Sequence, residues 1–405
     1  MIDVETNSHP IISKYHQYLS LYKSYYSSFI NLISNVIYED EDSSFSFQYK
    51  LYYGIMASST MNNIELFDDF KKKFLECNGD KLWVEQGIQC ENIPKQIKLF
   101  ANINDILAHK PWFLHWTHFI EFDNGLSFFL FQSAIILTTI QRFATIISAM
   151  ELFLKKNITI NDLIFQNEED NLKNNEIENK IKKKNSKRDE KIKAENEKVI
   201  ISVKQNYIDQ KDLNEKKKQN TNNNFSIKFL LKEPVIYEDF NQHHDKYLYV
   251  DDFDWKTNAK YFYVDYASKE MDFLEKEFKA LDTLSNNEKN KNNIFKHKNT
   301  IEKYVEIILG IRDREYDYHK TNEVLNMDIK NLIKKIACFP EKLNDENLDD
   351  LLLILNAKNL LILIFIIAAI KQKISLTYFA KAFDDFSSNK NKSNLFNSNE
   401  NNLED

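Results

Sequence analysis

Apolar positions dominate two long stretches of the chain. Residues 14–165 form the first, and within it the run from Leu126 to Met150 carries a single charge, Arg142, with apolar side chains on every helical face. A helix of that kind is buried all round. Gln132, Gln141, Arg142 and several Ser and Thr interrupt it, so an internal core helix is the reading rather than a membrane span. Residues 226–386 form the second stretch and end in LLLILNAKNLLILIFIIAAIK (Leu351 to Lys371). Its uninterrupted apolar run, Leu360 to Ile370, is shorter than the roughly 20 residues that cross a bilayer, which points to a second central helix.

Alternating strand patterns are sparse. YFYVDY (Tyr261 to Tyr266) is the one stretch that reads ambiguously between helix and strand, and the chain is expected to be all-α. Between the blocks, residues 166–225 turn to Asn, Lys and Glu with few aromatics, a composition that cannot offset the entropy of ordering. The expected organisation is an N-terminal helical lobe (1–165), a disordered linker (166–225), a C-terminal helical lobe (226–386) and a disordered tail (387–405). A further Asn-rich tract, Ser285 to Asn293, reads as a lengthened surface loop.

Composition narrows the function classes. The net charge of -7 argues against a nucleic-acid partner, since such proteins concentrate positive charge. KIKKKNSKR (Lys180 to Arg188) is basic, but it sits among Glu and Asn and reads as solvated linker. Five glycines, none clustered, cannot build the phosphate-cradling loops of Walker or Rossmann nucleotide sites. The three cysteines, Cys77, Cys90 and Cys338, are odd in number and lack CxxC spacing, so a reducing compartment is expected, cytoplasmic or also nuclear. No secretory or organellar address is visible at the N-terminus.

Candidate chemistry is thin. His115 and His118 in AHKPWFLHWTHF share one face of any helix starting after Pro111, but no carboxylate partner accompanies them, and packed histidines are the reading. His243 and His244 are adjacent and point apart. Asp252 and Asp254 resemble the opening of a calcium loop that Lys256 and the missing glycine then spoil. No GxSxG occurs, and no cysteine has a neighbouring His or cationic cluster in sequence. No metal or cofactor is expected.

Several longer segments together resemble one family. YYGIMASS (Tyr52 to Ser59), GDKLWVEQG (Gly79 to Gly87) and NDILAHKPWFLHWTHF (Asn104 to Phe119) lie in the first block; EPVIYEDF (Glu233 to Phe240), Trp255, GIRDREYDY (Gly310 to Tyr318) and IKKIACFPEK (Ile333 to Lys342) lie in the second. In order and spacing they resemble the sestrins, stress-inducible regulators of TOR signalling. The resemblance implies two related lobes similar to alkylhydroperoxidase-type (AhpD-like) bundles.

That resemblance also implies where function would sit. The family's first lobe can carry a peroxidase-like Cys, Tyr and His just after the IMA segment; the matching positions here hold Asn63, Glu65 and Phe70, so no enzyme activity is expected. The second lobe of animal sestrins can bind leucine. Lys298 falls at the position of the Arg that holds the leucine carboxylate, which keeps the charge but loses the bidentate fork. Glu346 falls at the amine-binding Glu, Ser285 at one lid threonine and Ile294 at another, while a shortened segment removes the pocket Trp. The family docks onto the GATOR complex that controls Rag GTPases through an acidic pair after GIR. Here those positions are Arg314 and Glu315, followed by Tyr316, Asp317 and Tyr318. The implied function is restraint of TOR complex 1 through a GATOR-type partner, with leucine as regulatory ligand. The alternatives are an alkylhydroperoxidase-type redox protein and an adaptor without sensing.

Overall fold

A computed structural model describes residues 10–39, 45–122, 126–158, 248–288, 293–340, 351–352 and 355–400. The linker expected at 166–225, the EPVIYEDF segment and the His243–His244 pair lie outside these residues. The first half supplies α1 (Pro10–Leu19), α2 (Lys23–Ile33), α3 (Phe47–Thr60), α4 (Ile64–Glu76), α5 (Lys81–Gln86), α6 (Lys95–His109) and α7 (Ser127–Lys155). The second supplies α8 (Lys260–Tyr266), α9 (Ser268–Glu288), α10 (Asn293–Lys296), α11 (Lys298–Ile308), α12 (Tyr318–Val324), α13 (Met327–Cys338) and α14 (Ala357–Glu400). The strands among the described residues are two short parallel pieces, Leu248–Tyr249 beside Ile311–Arg312. YFYVDY is helical, within α8: its Tyr263 is fully buried and its hydroxyl donates to the Leu376 carbonyl at 2.8 Å.

Helix ends follow local chemistry. Asn63, Asp317 and Asn326 cap α4, α12 and α13 by accepting hydrogen bonds from the Leu66, Lys320 and Ile329 N–H groups. Asn62, at φ 51°, makes the left-handed turn between α3 and α4, a conformation Asn tolerates. The helix expected after Pro111 is instead two 3₁₀ turns, Pro111–Phe113 and Trp116–Phe119, because His115 leaves the helical region and its side chain caps the second turn.

Both apolar blocks contribute to one compact unit. α7 and α14 pack on each other at its centre, with α3, α6 and α9 against them. Phe131 of α7 meets Phe379 and Phe383 of α14 with ring centroids 5.5 and 5.0 Å apart. Ser375 of α14 is buried in the same core, and its hydroxyl donates to the Leu107 carbonyl of α6 at 3.0 Å, which offsets the cost of enclosing it. α7 and the part of α14 from Ala357 to Lys390 are long and apolar enough to cross a bilayer, yet 94% of the most apolar window of each is buried inside the protein. α14 continues to Glu400, so the Asn- and Lys-rich stretch after 387 is helical up to that residue rather than an unstructured tail. An established helix extends far more cheaply than a new one nucleates.

Candidate functional site

The first candidate place is the α3–α4 corner. Asn63 is 3% exposed. Its Oδ1 accepts from the Leu66 N–H at 3.0 Å while its Nδ2 donates to Ser148 Oγ of α7 at 3.2 Å. The amide is thus fully used in capping α4 and tying it to α7.

Glu65, in the first turn of α4, faces α1: Lys14 Nζ and Tyr15 Oη each donate to its Oε2 at 2.8 Å. Burial acts to raise the Glu65 pKa, but the bonds from Lys14 and Tyr15 outweigh it and hold the carboxylate below its ordinary value. Glu151 of α7 moves the other way, raised by burial and by Glu65 beside it.

Phe70 is completely buried and stacks on Tyr38 at 5.9 Å. Its ring lies so close to α3 that a Cβ placed on Gly54 would stand 2.3 Å from Phe70 Cδ1. The three side chains therefore serve capping, ion pairing and packing. Cys77 sits at the far end of the 13-residue α4, roughly 20 Å from Asn63 by helical rise, and cannot reach the same corner.

The second candidate place is the junction of α9 and α11. Lys298 and Ser285, on different helices, are brought together: Lys298 Nζ donates to Ser285 Oγ at 3.1 Å. Ser285 is fully buried, not part of a surface loop, because α9 carries on through it to Glu288. Ser285 Oγ also donates to the Asp282 carbonyl at 2.9 Å. The Asp282 carboxylate forms an ion pair with Lys298, a partner that sequence reading missed. Ile294 is buried nearby in sequence, and Glu346 lies outside the described residues.

The third place follows β-strand Ile311–Arg312. Arg314 is 60% exposed, pairs with Asp251 at 3.4 Å and Asp252 at 3.5 Å, and lies 4.9 Å from the Tyr249 ring. The Glu315 N–H donates to Asp313 Oδ1, Tyr316 packs edge-on against Tyr318 at 4.7 Å, and Asp317 is spent as the cap of α12. Asp254 is a cap as well, accepting from the Lys256 and Thr257 N–H groups. Among the described residues, no three His, Cys, Asp or Glu side chains group around a common point.

Comparison with known proteins gives these places a context. The model of the family described as PA26 p53-induced protein (sestrin) matches residues 2–386. A sestrin homolog of Caenorhabditis elegans is 23% identical over 374 residues, 73% of this chain and 76% of that protein. A sestrin homolog of Drosophila melanogaster and Sestrin-1 of Mus musculus are each 31% identical over 77 residues, 19% of this chain and 15% of theirs.

Proposed function

Since the chain belongs to the sestrin family, we propose that it is a non-catalytic, stress- and nutrient-responsive regulator that restrains TOR complex 1 by binding a GATOR-type complex upstream of the Rag GTPases. The observation that carries the non-catalytic part is the α3–α4 corner: a thiol peroxidase needs a nucleophile and a proton relay there, and the corner holds a committed amide and a buried phenyl ring. Function then resides in binding surfaces, and the segment Arg314 to Asp317 with its facing Asp251 and Asp252 is the surface assigned to the partner.

The sensing part rests on Lys298. It is a cation only 18% exposed, next to a fully buried hydroxyl, which suits the carboxylate of a free amino acid such as leucine. The protein acts in the cytoplasm, and in the nucleus under the same reading. Affinity purification of the tagged chain from its own cells, with and without amino-acid starvation, tests the proposal. Recovery of GATOR-type subunits that changes with starvation is expected. Constant recovery would favour an adaptor without sensing, and no recovery would reject the partner.

A further inference from the structure

Phe278, Asp282 and Ser285 recur at i, i+4 and i+7 along α9 and so form one stripe on that helix. Lys298, at the start of α11, closes over its polar end through Asp282 and Ser285. A second cation, Lys373 of α14, covers its aromatic end, with Nζ 4.4 Å from the Phe278 ring centroid. Lys373 is mostly buried. Burial lowers its pKa, and the charges of Glu302, Asp282 and Glu275 oppose that effect while Lys298 adds to it, which places these groups in one electrostatic neighbourhood. Glu275 is committed elsewhere, paired with Lys260 at 2.8 Å. Lys298 and Lys373 thus lie near two remaining carboxylates: Asp282, paired with Lys298, and Glu302, one helical turn beyond Lys298 on α11.

The members differ in how easily they can leave. The Asp282 side chain is 54% exposed and can turn into water at little cost, whereas Lys298 is 18% exposed and would be left short of a counter-charge. α9 itself is pinned five residues earlier, where Glu277 is fully buried against Arg142, so exchange at this position requires only the Asp282 side chain to rotate.

We propose that Asp282 is a built-in occupant of the anion position at Lys298, and that the carboxylate of a free amino acid enters by displacing it, with Lys373 as second cation and Glu302 receiving the ligand's ammonium group. This rests on the reading of Lys298 as an amino-acid site. It makes the site self-closed in the absence of ligand: no cation is stranded, and the threshold for response is set by how well Asp282 competes.

The test is calorimetric titration of the full chain with L-leucine, and with isovalerate as a probe lacking the amine. Wild type is compared with Asp282→Asn, Lys298→Met and Glu302→Gln, with circular dichroism confirming that each is folded. Removing an exposed competing carboxylate should tighten leucine and isovalerate binding about three- to tenfold in Asp282→Asn. Lys298→Met should abolish both, and Glu302→Gln should weaken leucine only. Equal or weaker binding by Asp282→Asn, with binding still lost in Lys298→Met, would overturn the displacement and leave the amino-acid site standing. Unchanged binding in Lys298→Met, or no binding by any variant at millimolar leucine, would overturn the amino-acid site itself.

Discussion

The guanidinium of Arg142 grips both oxygens of the Glu277 carboxylate, Nη1 to Oε2 at 2.6 Å and Nη2 to Oε1 at 2.5 Å, with neither side chain more than 1% exposed. Gln372 Oε1 accepts from Nη1 at 3.2 Å and Tyr25 Oη from Nη2 at 3.3 Å, so helices α2, α7, α9 and α14 meet at one charged point inside the core. Gln372 passes the chain of bonds on to Thr139 of α7 at 2.9 Å.

Breaking that pair from one side leaves a buried charge uncompensated. Arg142→Met alone is expected to cost about 3–5 kcal/mol in urea unfolding, and Glu277→Leu alone a similar amount. The double variant should recover most of the loss, since two apolar groups need no counter-ion there. A double variant as unstable as the sum of the singles would show that the pair's value lies in something other than mutual neutralisation.

Asp105 and His109, one turn apart on α6, are displaced in opposite senses. Burial, opposed by a 2.7 Å bond from Thr60 Oγ1, raises the Asp105 pKa to about 7, so its contribution is complete below the unfolded value near 3.8 and declines as pH rises to 7. Burial and the nearby Lys371 lower His109 to about 4, so its contribution is complete above the unfolded value near 6.5 and declines as pH falls to 4. The two slopes cancel between about pH 4 and 6.5. Asp105→Asn should therefore make stability fall with acid by about 1.4 kcal/mol per pH unit in that window while leaving the variant at least as stable as wild type at about pH 7.5. Urea midpoints measured across pH for both proteins check this; parallel curves would disprove the assignment.

At the α3–α4 corner, Asn63→Ala removes the cap of α4 and should cost about 1 kcal/mol. Gly54→Ala forces the Phe70 ring aside and should cost roughly 1–3 kcal/mol, partly restored by Phe70→Leu. Hydroperoxide consumption by wild type should not exceed the buffer rate. Robust turnover abolished by Cys77→Ser would instead establish a thiol peroxidase.

Arg314→Ala removes an exposed contact with Asp251 and Asp252, so stability should change by no more than about 0.5 kcal/mol. Co-purification of the partner complex should nonetheless change, because the acidic pair is then unneutralised. Unaltered recovery would move the docking surface elsewhere.

What the residues determine by themselves is local. The all-round apolar character of 126–150 and 360–370 is enough to make α7 and α14 buried helices, because no amphipathic alternative exists for such runs. Segment order was enough for the family. The ambiguity of YFYVDY was settled only by packing: short aromatic runs suit either period, and Tyr263 reaching Leu376 selects the helix. The packed reading of His115 and His118 fails at His115, which is extended and exposed at the start of a 3₁₀ turn, so the helix on which the spacing depends does not form.

The long-range charge pairings lie beyond any local pattern. Arg142 and Glu277 are 135 positions apart, and nothing in the composition around either marks them as partners. Lys298 could be placed by family position, but Asp282 reads in sequence as one more exposed acid on an amphipathic helix. Only the folded arrangement of α9 and α11 sets it beside Lys298. Burial decides which charges must be paired, and burial is a property of the assembled core.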